Sequence, residues 1–450
     1  MPHRIHVKPM KPNALCFFQV AAITFAALTG IQSSSAQMPI DANGLVDAYE
    51  RGEGVVFHNR ATGYSLQFRG LAQFTSETRH FSETDEWTTR FRARRIRMRW
   101  AGASSSQKFR YRVQYELSNP DGDGDDVSGM LMDAWCAYQP NNRFRITFGQ
   151  RSAISDNLEL RMGSNTLQFV ERSRLTSAFG TIREFGTFAE GRLRAGANGW
   201  LKLAASVVTG DGAAEDIRNH GGLKYEGRVL WLPLGLFRSF GEFRQVDLVR
   251  EVQPKIMLGA YGSLNQGMSS RRGRSSGDIL YLDANFEEAL PDYWKAGADL
   301  LFKFKGFTLL GEYIMTDANV PDQDIVQRVR NNGTLSTTFE GGVDAYVRGR
   351  MMLGTAFNVQ AGYCFTNLWS VDVRYTRLSA PENSFLNNPT FYARSAYQDL
   401  GISKYFGRDY GAKLQFGITR TQADPAAITT SGNSFGGSEW TFRVLSQFSI

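Results

Sequence analysis

The segment FRARRIRMRW, residues 91–100, carries the pattern with the clearest chemical potential. Read as a β-strand, it separates two kinds of side chain onto opposite faces, with Arg95, Arg97 and Arg99 on one face and Ile96, Met98 and Trp100 on the other. A guanidinium group stays charged at neutral pH and binds phosphate or carboxylate through two parallel hydrogen bonds. A row of such groups can attract anions, and several weak sites in series let an anion move on.

The next segment continues the pattern, with Arg110 and Arg112 alternating with Phe109, Tyr111 and Val113. Two interpretations of these arginines are open. They can line a path for anions, or they can pair with carboxylates of neighbouring strands and serve packing alone. One strand of this kind is also typical of a soluble sheet with a solvated basic face, so the decision rests on how often the pattern recurs.

Segments of about ten residues with alternating polarity recur from Gly63 onward, and about ten residues is the length with which a tilted strand crosses a bilayer. Examples are the stretches 64–69, 109–117, 143–148, 369–376, 413–419 and 440–450. The last of them reaches Ile450, and a barrel closes by pairing its last strand with its first. These features predict an all-β fold, a closed transmembrane antiparallel β-barrel of about 16 strands.

In such a barrel the arginines have a predictable direction. An arginine on the lipid face near the bilayer centre costs about 2–4 kcal/mol, so the arginine rows are expected to face the lumen. Short links at 140–142 and 407–409 are predicted to be periplasmic turns. The stretches 232–294 and 341–353 show no clear strand pattern.

The composition agrees with this fold class. Hydrophobic residues make up 42% of the 450 residues and the mean hydropathy is −0.32, which is too polar for a helical membrane protein. Aromatic residues reach 13%, and 45 glycines against 13 prolines suit many half-apolar strands joined by glycine-containing turns.

The N-terminus has the layout of a signal peptide, with basic residues before an apolar run at 14–28 and a small-residue cleavage pattern at 34–36. The predicted organisation is a signal peptide at 1–36, a short periplasmic segment at 37–62 and an outer-membrane barrel at 63–450. Cleavage removes three positive charges and lowers the formal net charge from +7 to +4. Export argues against nucleic acid as a partner and favours anionic solutes, outer-membrane lipid and lipopolysaccharide.

Other chemistries have little support in the sequence. Three histidines lie outside the predicted signal peptide, none of them in a catalytic motif, namely His58, His80 and His220. The protein is therefore predicted not to be an enzyme. The acidic stretch DGDGDD at 121–126 lacks the downstream glutamate of a calcium loop and is interpreted as a solvated turn, so no metal or other cofactor is expected. Cys136 and Cys364 are interpreted as small apolar side chains rather than a disulfide framework.

Several segments resemble the phosphate-selective porins O and P. GEGVVFHNRATGYSLQFRGLAQF at 52–74 resembles the family's first strand, residues 90–102 with KFRYRVQYELS its second and third, and LMDAWCAYQPNNRFRITFGQ at 131–150 its fourth and fifth. The pair Glu171-Arg172 resembles the glutamate-arginine pair that ends the family's long third loop. The resemblance covers most of the mature chain and is strongest in its first third.

The resemblance implies a homotrimer of 16-stranded outer-membrane barrels, each with its third loop folded inward and with arginines lining a path for anions. Carried over to this sequence, the family's paired strand arginines match Arg94 and Arg95. A basic loop that enters the lumen in the family matches Arg271, Arg272 and Arg274.

One departure from the family concerns the constriction. Where the family's phosphate channels have a lysine, this chain reads Asn-Leu-Glu-Leu-Arg at 157–161, with Arg161 as the nearest cation and Glu159 two positions before it. Anion passage remains the expectation, and phosphate specificity is left open.

The sequence therefore predicts a porin that passively conducts small anions such as phosphate, pyrophosphate and chloride. A general diffusion porin with weak selectivity would have the same fold and a wider constriction, while a receptor or adhesin barrel would need a plug or large structured loops. The candidate pore-lining residues are Arg94, Arg95, Arg97, Arg99, Arg110, Arg112, Arg161, Arg271, Arg272 and Arg274.

Overall fold

The computed structural model describes residues 54–59, 61–118, 131–213, 220–274, 279–330, 333–390, 392–429, 431–434 and 436–450. The predicted signal peptide and the DGDGDD stretch lie outside these residues. Among the residues that are described, no helix is long and apolar enough to cross a membrane.

The described chain is built almost entirely from antiparallel strands. In chain order they are β1 (Val55–His58), β2 (Ser65–Phe81), β3 (Glu86–Ala103), β4 (Phe109–Glu116), β5 (Leu131–Asn141), β6 (Phe144–Ser152), β7 (Arg183–Ala195), β8 (Gly199–Val208), β9 (Lys224–Leu232), β10 (Lys255–Asn265), β11 (Leu280–Leu282), β12 (Asp292–Phe304), β13 (Phe307–Asn319), β14 (Gln327–Val329), β15 (Leu335–Ser336), β16 (Gly354–Cys364), β17 (Trp369–Ser379), β18 (Arg394–Tyr405), β19 (Ala412–Ala423) and β20 (Gly437–Ser449). Three short α-helices accompany them, namely α1 (Leu158–Arg161), α2 (Arg174–Phe179) and α3 (Val343–Arg348).

Sixteen of these strands form one closed barrel in the part of the chain that is described. Each pairs with the next barrel strand along the chain, and β20 pairs with β2 from Leu71 opposite Ser449 to Phe81 opposite Glu439. The short strand β1 pairs with the beginning of β2. The predicted fold class, a closed all-β barrel of about 16 strands, is confirmed.

Side chains alternate between the outer surface and the lumen, as the sequence pattern predicts. On β17, Val371 and Val373 are 43% and 52% exposed on the outer surface, while Ser370 and Asp372 are fully buried inside. Neighbouring strands satisfy each other's backbone N–H and C=O groups around the closed ring, so the apolar outer face can lie in hydrocarbon.

One end of the barrel has short turns and the other has longer loops. The connections at 142–143, 305–306 and 406–411 are among the short ones. At the same end, residues 233–254 between β9 and β10 form a longer segment whose Phe237, Phe243 and Val246 are buried. This inward segment explains why no strand pattern was visible at 233–254. The rest of the unassigned stretch 232–294 does contain a barrel strand, β10.

The third loop at the opposite end, residues 153–182, folds into the lumen and carries α1 and α2. Its Ile154, Leu158 and Met162 are fully buried and share an apolar cluster with wall residues such as Leu301 and Leu310. Phe237 and Phe243 of the inward segment join the same cluster. The β7–β13 side of the lumen is therefore filled by this apolar cluster together with buried ion pairs such as Arg228 with Asp299 and Lys224 with Glu184. The prediction of an inward third loop is confirmed.

The stretch 341–353 contains α3, which packs beside a small sheet that is separate from the barrel sheet. This sheet pairs β11 with β14 and β14 with β15. Val347, Met351 and Leu353 are buried against Tyr281 of β11 in a second apolar cluster. The strand alternation is missing from this stretch because it is helical.

A β-bulge in β3 changes which of its side chains face the lumen. Gln73 of β2 lies opposite Arg95 and Phe74 lies opposite Ala93, so Arg94 is the extra residue. Because a bulge shifts the alternation by one residue, the adjacent Arg94 and Arg95 are both buried, at 4% and 1% exposure. Arg90 and Arg92 before the bulge, and Arg97 and Arg99 after it, are thereby brought to one face.

We predict that this extra residue is needed to keep all the arginines of β3 on the lumenal face. Deletion of Ala93 forces at least one arginine onto the lipid face, which is expected to lower the free energy of unfolding by about 2–4 kcal/mol. Deletion of Arg94 leaves the other side chains on their present faces and is expected to match the variant Arg94→Ala. Urea unfolding followed by tryptophan fluorescence measures the difference, and equal stabilities for the two deletions would contradict the prediction.

Candidate functional site

A cavity of about 610 Å³ occupies the loop-side half of the lumen, along β2, β3 and β17–β20. Twelve arginines line it, namely Arg79, Arg90, Arg92, Arg94, Arg172, Arg174, Arg271, Arg272, Arg274, Arg374, Arg394 and Arg443. The carboxylates that line it are Glu77, Glu171, Asp399 and Glu439. The lining thus has an excess of eight positive charges.

Three of the carboxylates are on strands and hold the arginines in fixed positions. Glu77 lies 2.6 Å from Arg443, 2.9 Å from Arg90 and 3.0 Å from Arg79. A second group pairs Arg374 with Asp399 at 2.9 Å, and a third pairs Arg394 with Glu439 at 2.7 Å. One carboxylate therefore serves up to three guanidinium groups, which leaves the cavity strongly positive.

The fourth carboxylate, Glu171, comes from the third loop and meets the arginines around the bulge. Arg94 donates two hydrogen bonds to it, Nε to Oε1 at 2.6 Å and Nη2 to Oε2 at 3.0 Å. Arg92 and Arg95 each lie 3.5 Å from the same carboxylate. Burial alone would raise the pKa of Glu171, but the guanidinium groups of Arg94, Arg95 and Arg92 hold it well below its usual value.

The arginines of β3 continue past the third loop towards the turn end of the barrel. Arg97 donates from Nε to Glu116 at 2.5 Å and from Nη1 to the Ser164 hydroxyl at 2.7 Å. Arg99 is 5% exposed and, with Arg69 and Arg97, lines a small space of about 40 Å³ beside the loop. Positive charge is thus present on both sides of the point where the loop meets β3.

A row of glycines on β16, β18 and β19 makes room for the third loop. Gly362 lies opposite Asp372 on the neighbouring strand, and the Gln168 amide of the loop donates to Asp372 at 2.6 Å. A Cβ at Gly362 would lie 1.9 Å from the Asp372 carboxylate and 2.2 Å from the Gln168 amide nitrogen. Gly401 similarly leaves space for the ring of Phe169. These positions allow the loop to lie close to the wall.

Carboxylates on the opposite wall accept hydrogen bonds from the same loop. Asp299 of β12 accepts from the Leu158 backbone N–H at 3.1 Å. Glu312 of β13 accepts from the Glu159 backbone N–H at 2.7 Å and from the Asn157 amide at 2.9 Å. The loop is therefore held by hydrogen bonds on both sides of the lumen.

Six of the ten predicted arginines are not part of the cavity lining. Arg95, Arg97 and Arg99 lie beside it on β3, and the other three lie elsewhere. Arg112 is buried beside Asp133 at 3.8 Å, with its guanidinium 5.0 Å from the centre of the Trp135 ring. Arg110 lies at the turn end of β4 and is partly exposed. Arg161 is 2% exposed and donates to the backbone carbonyl of Ala153 at 2.7 Å, within the third loop itself.

The basic loop Arg271, Arg272 and Arg274 reaches the cavity. Arg272 donates to the Ala178 carbonyl at 3.1 Å, near the end of α2, and to the Tyr392 hydroxyl at 3.2 Å. The guanidinium of Arg271 lies 3.9 Å from the centre of an aromatic ring, that of Phe385. The loop thus ties the third loop to the connection between β17 and β18.

Sequence reasoning missed several cavity arginines. Arg90 and Arg92 are in the same arginine-rich stretch, but they fall on the wrong parity unless a bulge is placed in it. Arg374 and Arg443 lie on the polar faces of predicted strands, so the alternation could have identified them. Within the described ranges, no group of three or more His, Cys, Asp or Glu side chains is placed to hold a metal ion.

The barrel, its inward third loop and its charged lumen together define the class of protein, a porin. The family model for "Phosphate-selective porin O and P" matches residues 69–231, which confirms the resemblance over that part of the chain. The protein is therefore an outer-membrane porin of bacteria, a channel rather than an enzyme.

The chain is also similar to several solved structures. The anion-selective porin from Comamonas acidovorans is 10% identical, with a TM-score of 0.49, and the match covers 86% of this chain and 100% of that one. The outer membrane channel DcaP of Acinetobacter baumannii is 9% identical, with a TM-score of 0.49 and coverage of 88% and 99%. OmpT of Vibrio cholerae is 9% identical, with a TM-score of 0.48 and coverage of 86% and 98%. No curated protein matches the sequence.

We predict that the glycine row is needed for the seating of the third loop. Gly362→Ala places a methyl group against Gln168 and Asp372, and overpacking of this kind typically costs about 1–3 kcal/mol. The matched control is Gly227→Ala on β9, where an added Cβ meets no atom within 4 Å. Urea unfolding of both variants is the measurement, and an unfolding free energy for Gly362→Ala equal to that of the control would count against the loop contact.

Proposed function

We propose that the protein passively conducts small anions, such as phosphate, pyrophosphate and chloride, along its arginine-lined lumen. The observation that supports this most strongly is the excess of eight positive charges in the lining of the 610 Å³ cavity. A concave site with walls of low dielectric constant and one dominant sign of charge raises the local concentration of counter-ions. Anions are therefore expected to enter in preference to cations.

The arrangement of the arginines favours passage over tight binding. Arg90 and Arg92 lie on the loop side of the bulge, Arg94 is the bulge residue, and Arg97 and Arg99 lie on the turn side. From Arg90 to Arg99 the strand extends roughly 30 Å, at about 3.4 Å per residue. Several guanidinium groups spaced over this length offer successive sites, and an anion can leave one as it meets the next.

We propose phosphate-like anions as solutes because paired guanidinium groups match the oxygen geometry of phosphate. The position of Arg161 inside the third loop favours the groups around Arg94 and Arg95, rather than Arg161, as the main contact. We include in the proposal a homotrimer, as the family resemblance implies, and contact with outer-membrane lipid and lipopolysaccharide, as the charge and predicted export of the chain favour. A general diffusion porin with weak selectivity is the outcome expected if the lumenal carboxylates balance the arginines during passage.

The double variant Arg90→Gln and Arg92→Gln tests the arginine path. It removes two positive charges from the cavity and is expected to move the reversal potential across a KCl gradient towards zero in a planar bilayer. Arg377→Gln is the matched control, because Arg377 is an exposed residue on the outer parity of β17. A reversal potential for the double variant equal to that of the unaltered protein would overturn the proposed path.

A further inference from the structure

The carboxylate of Glu171 occupies the position that a passing anion would take among the arginines of β3. It receives two hydrogen bonds from Arg94 and has Arg92 and Arg95 within 3.5 Å. Two oxygens facing a guanidinium fork is the same arrangement by which a phosphate is held. The side chains of Glu171 and Arg92 remain 14% and 13% exposed, so the cluster can be reached from the cavity.

We propose that Glu171 is an internal anion that competes with the transported anion for Arg92, Arg94 and Arg95, and thereby promotes its release. This inference rests on the proposed function and names the residue that limits how tightly an anion is held. A solute reaching the bulge must share these donors with Glu171 or displace it. When the solute moves on, the carboxylate is still tethered nearby and takes the donors back, because its effective concentration is high.

Glu171 differs from the other carboxylates of the cavity in where it is attached. Glu77, Asp399 and Glu439 are on β2, β18 and β20, whose backbones are fixed in the barrel wall. Glu171 is in the third loop, between its short helices, so its carboxylate can move without breaking a strand pairing. It also lies opposite the bulge, between the arginines of β3 on the loop side and those on the turn side.

A purely structural role makes a different prediction. If Glu171 only tethers the third loop to β3, its neutralisation would loosen the loop and widen the passage for all solutes. If Glu171 competes for the arginines, its neutralisation would tighten anion binding and leave the passage of neutral solutes as it is. The two roles are therefore separated by measuring a charged and an uncharged solute on the same variant.

The test uses Glu171→Gln, which keeps the side-chain shape and removes the charge, and Glu171→Asp, which keeps the charge. Block of the chloride current by added phosphate is measured in planar bilayers with the full-length mature protein. For Glu171→Gln the half-blocking phosphate concentration is expected to fall by about tenfold, which corresponds to about 1.4 kcal/mol. Glu171→Asp is expected to stay near the unaltered value. Glu439→Gln, the same charge change on a strand of the same cavity, is expected to give a smaller fall.

Liposome swelling with an uncharged sugar provides the second measurement. Unchanged sugar uptake together with tighter phosphate block supports competition by Glu171. Faster sugar uptake with unchanged or weaker block would overturn the inference in favour of a tether, and so would an equal fall in Glu439→Gln. Absence of any anion preference in the unaltered protein would instead overturn the proposed function, which separates the two failures.

Discussion

The outer face of a closed membrane barrel is in contact with lipid. A charged side chain on one of its strands is therefore stable only when it points into the lumen. An arginine that points outward near the bilayer centre costs about 2–4 kcal/mol, so strands rich in arginine can be placed only with their basic face inside. The bulge at Arg94 extends this constraint, because it lets two adjacent arginines and the alternating arginines on both sides face the lumen together. The inward direction of the arginines is therefore imposed by the membrane, whatever the solute is.

The guanidinium groups in the lumen repel one another, and this repulsion must be offset by negative charge. The four carboxylates of the cavity do this locally, since Glu77 and Glu171 each contact three arginines. The rest of the lumen is occupied differently. On the β7–β13 side, the third loop and the inward segment 233–254 bury apolar side chains against wall residues such as Leu301 and Leu310. The lumen thus has a packed half, where apolar side chains and paired charges hold the loop, and a basic half that contains the cavity.

Much of this architecture could be predicted from alternation alone, because a lipid-facing strand imposes a period of two on its sequence. Strands such as β17 and β20 were recognised for that reason. The segment 233–254 was not, since it packs in the lumen and is free of the lipid constraint. The bulge was missed because it interrupts the alternation in FRARRIRMRW. The segment then reads as two short strands with imperfect alternation. The burial of Arg161 depends on how the third loop folds, and its backbone hydrogen bonds have no short-range sequence signal.

The size of the cavity bears on how the porin can discriminate. A volume of about 610 Å³ is many times that of one water molecule, about 30 Å³, so the cavity can hold a small anion together with water. The anion can then keep part of its hydration in the cavity. Discrimination then depends on charge and on the number of guanidinium donors an anion can engage at once. Three guanidinium groups, those of Arg92, Arg94 and Arg95, meet around Glu171, a carboxylate of the third loop. The strength of anion binding and the readiness of its release are for this reason decided at the same place in the lumen.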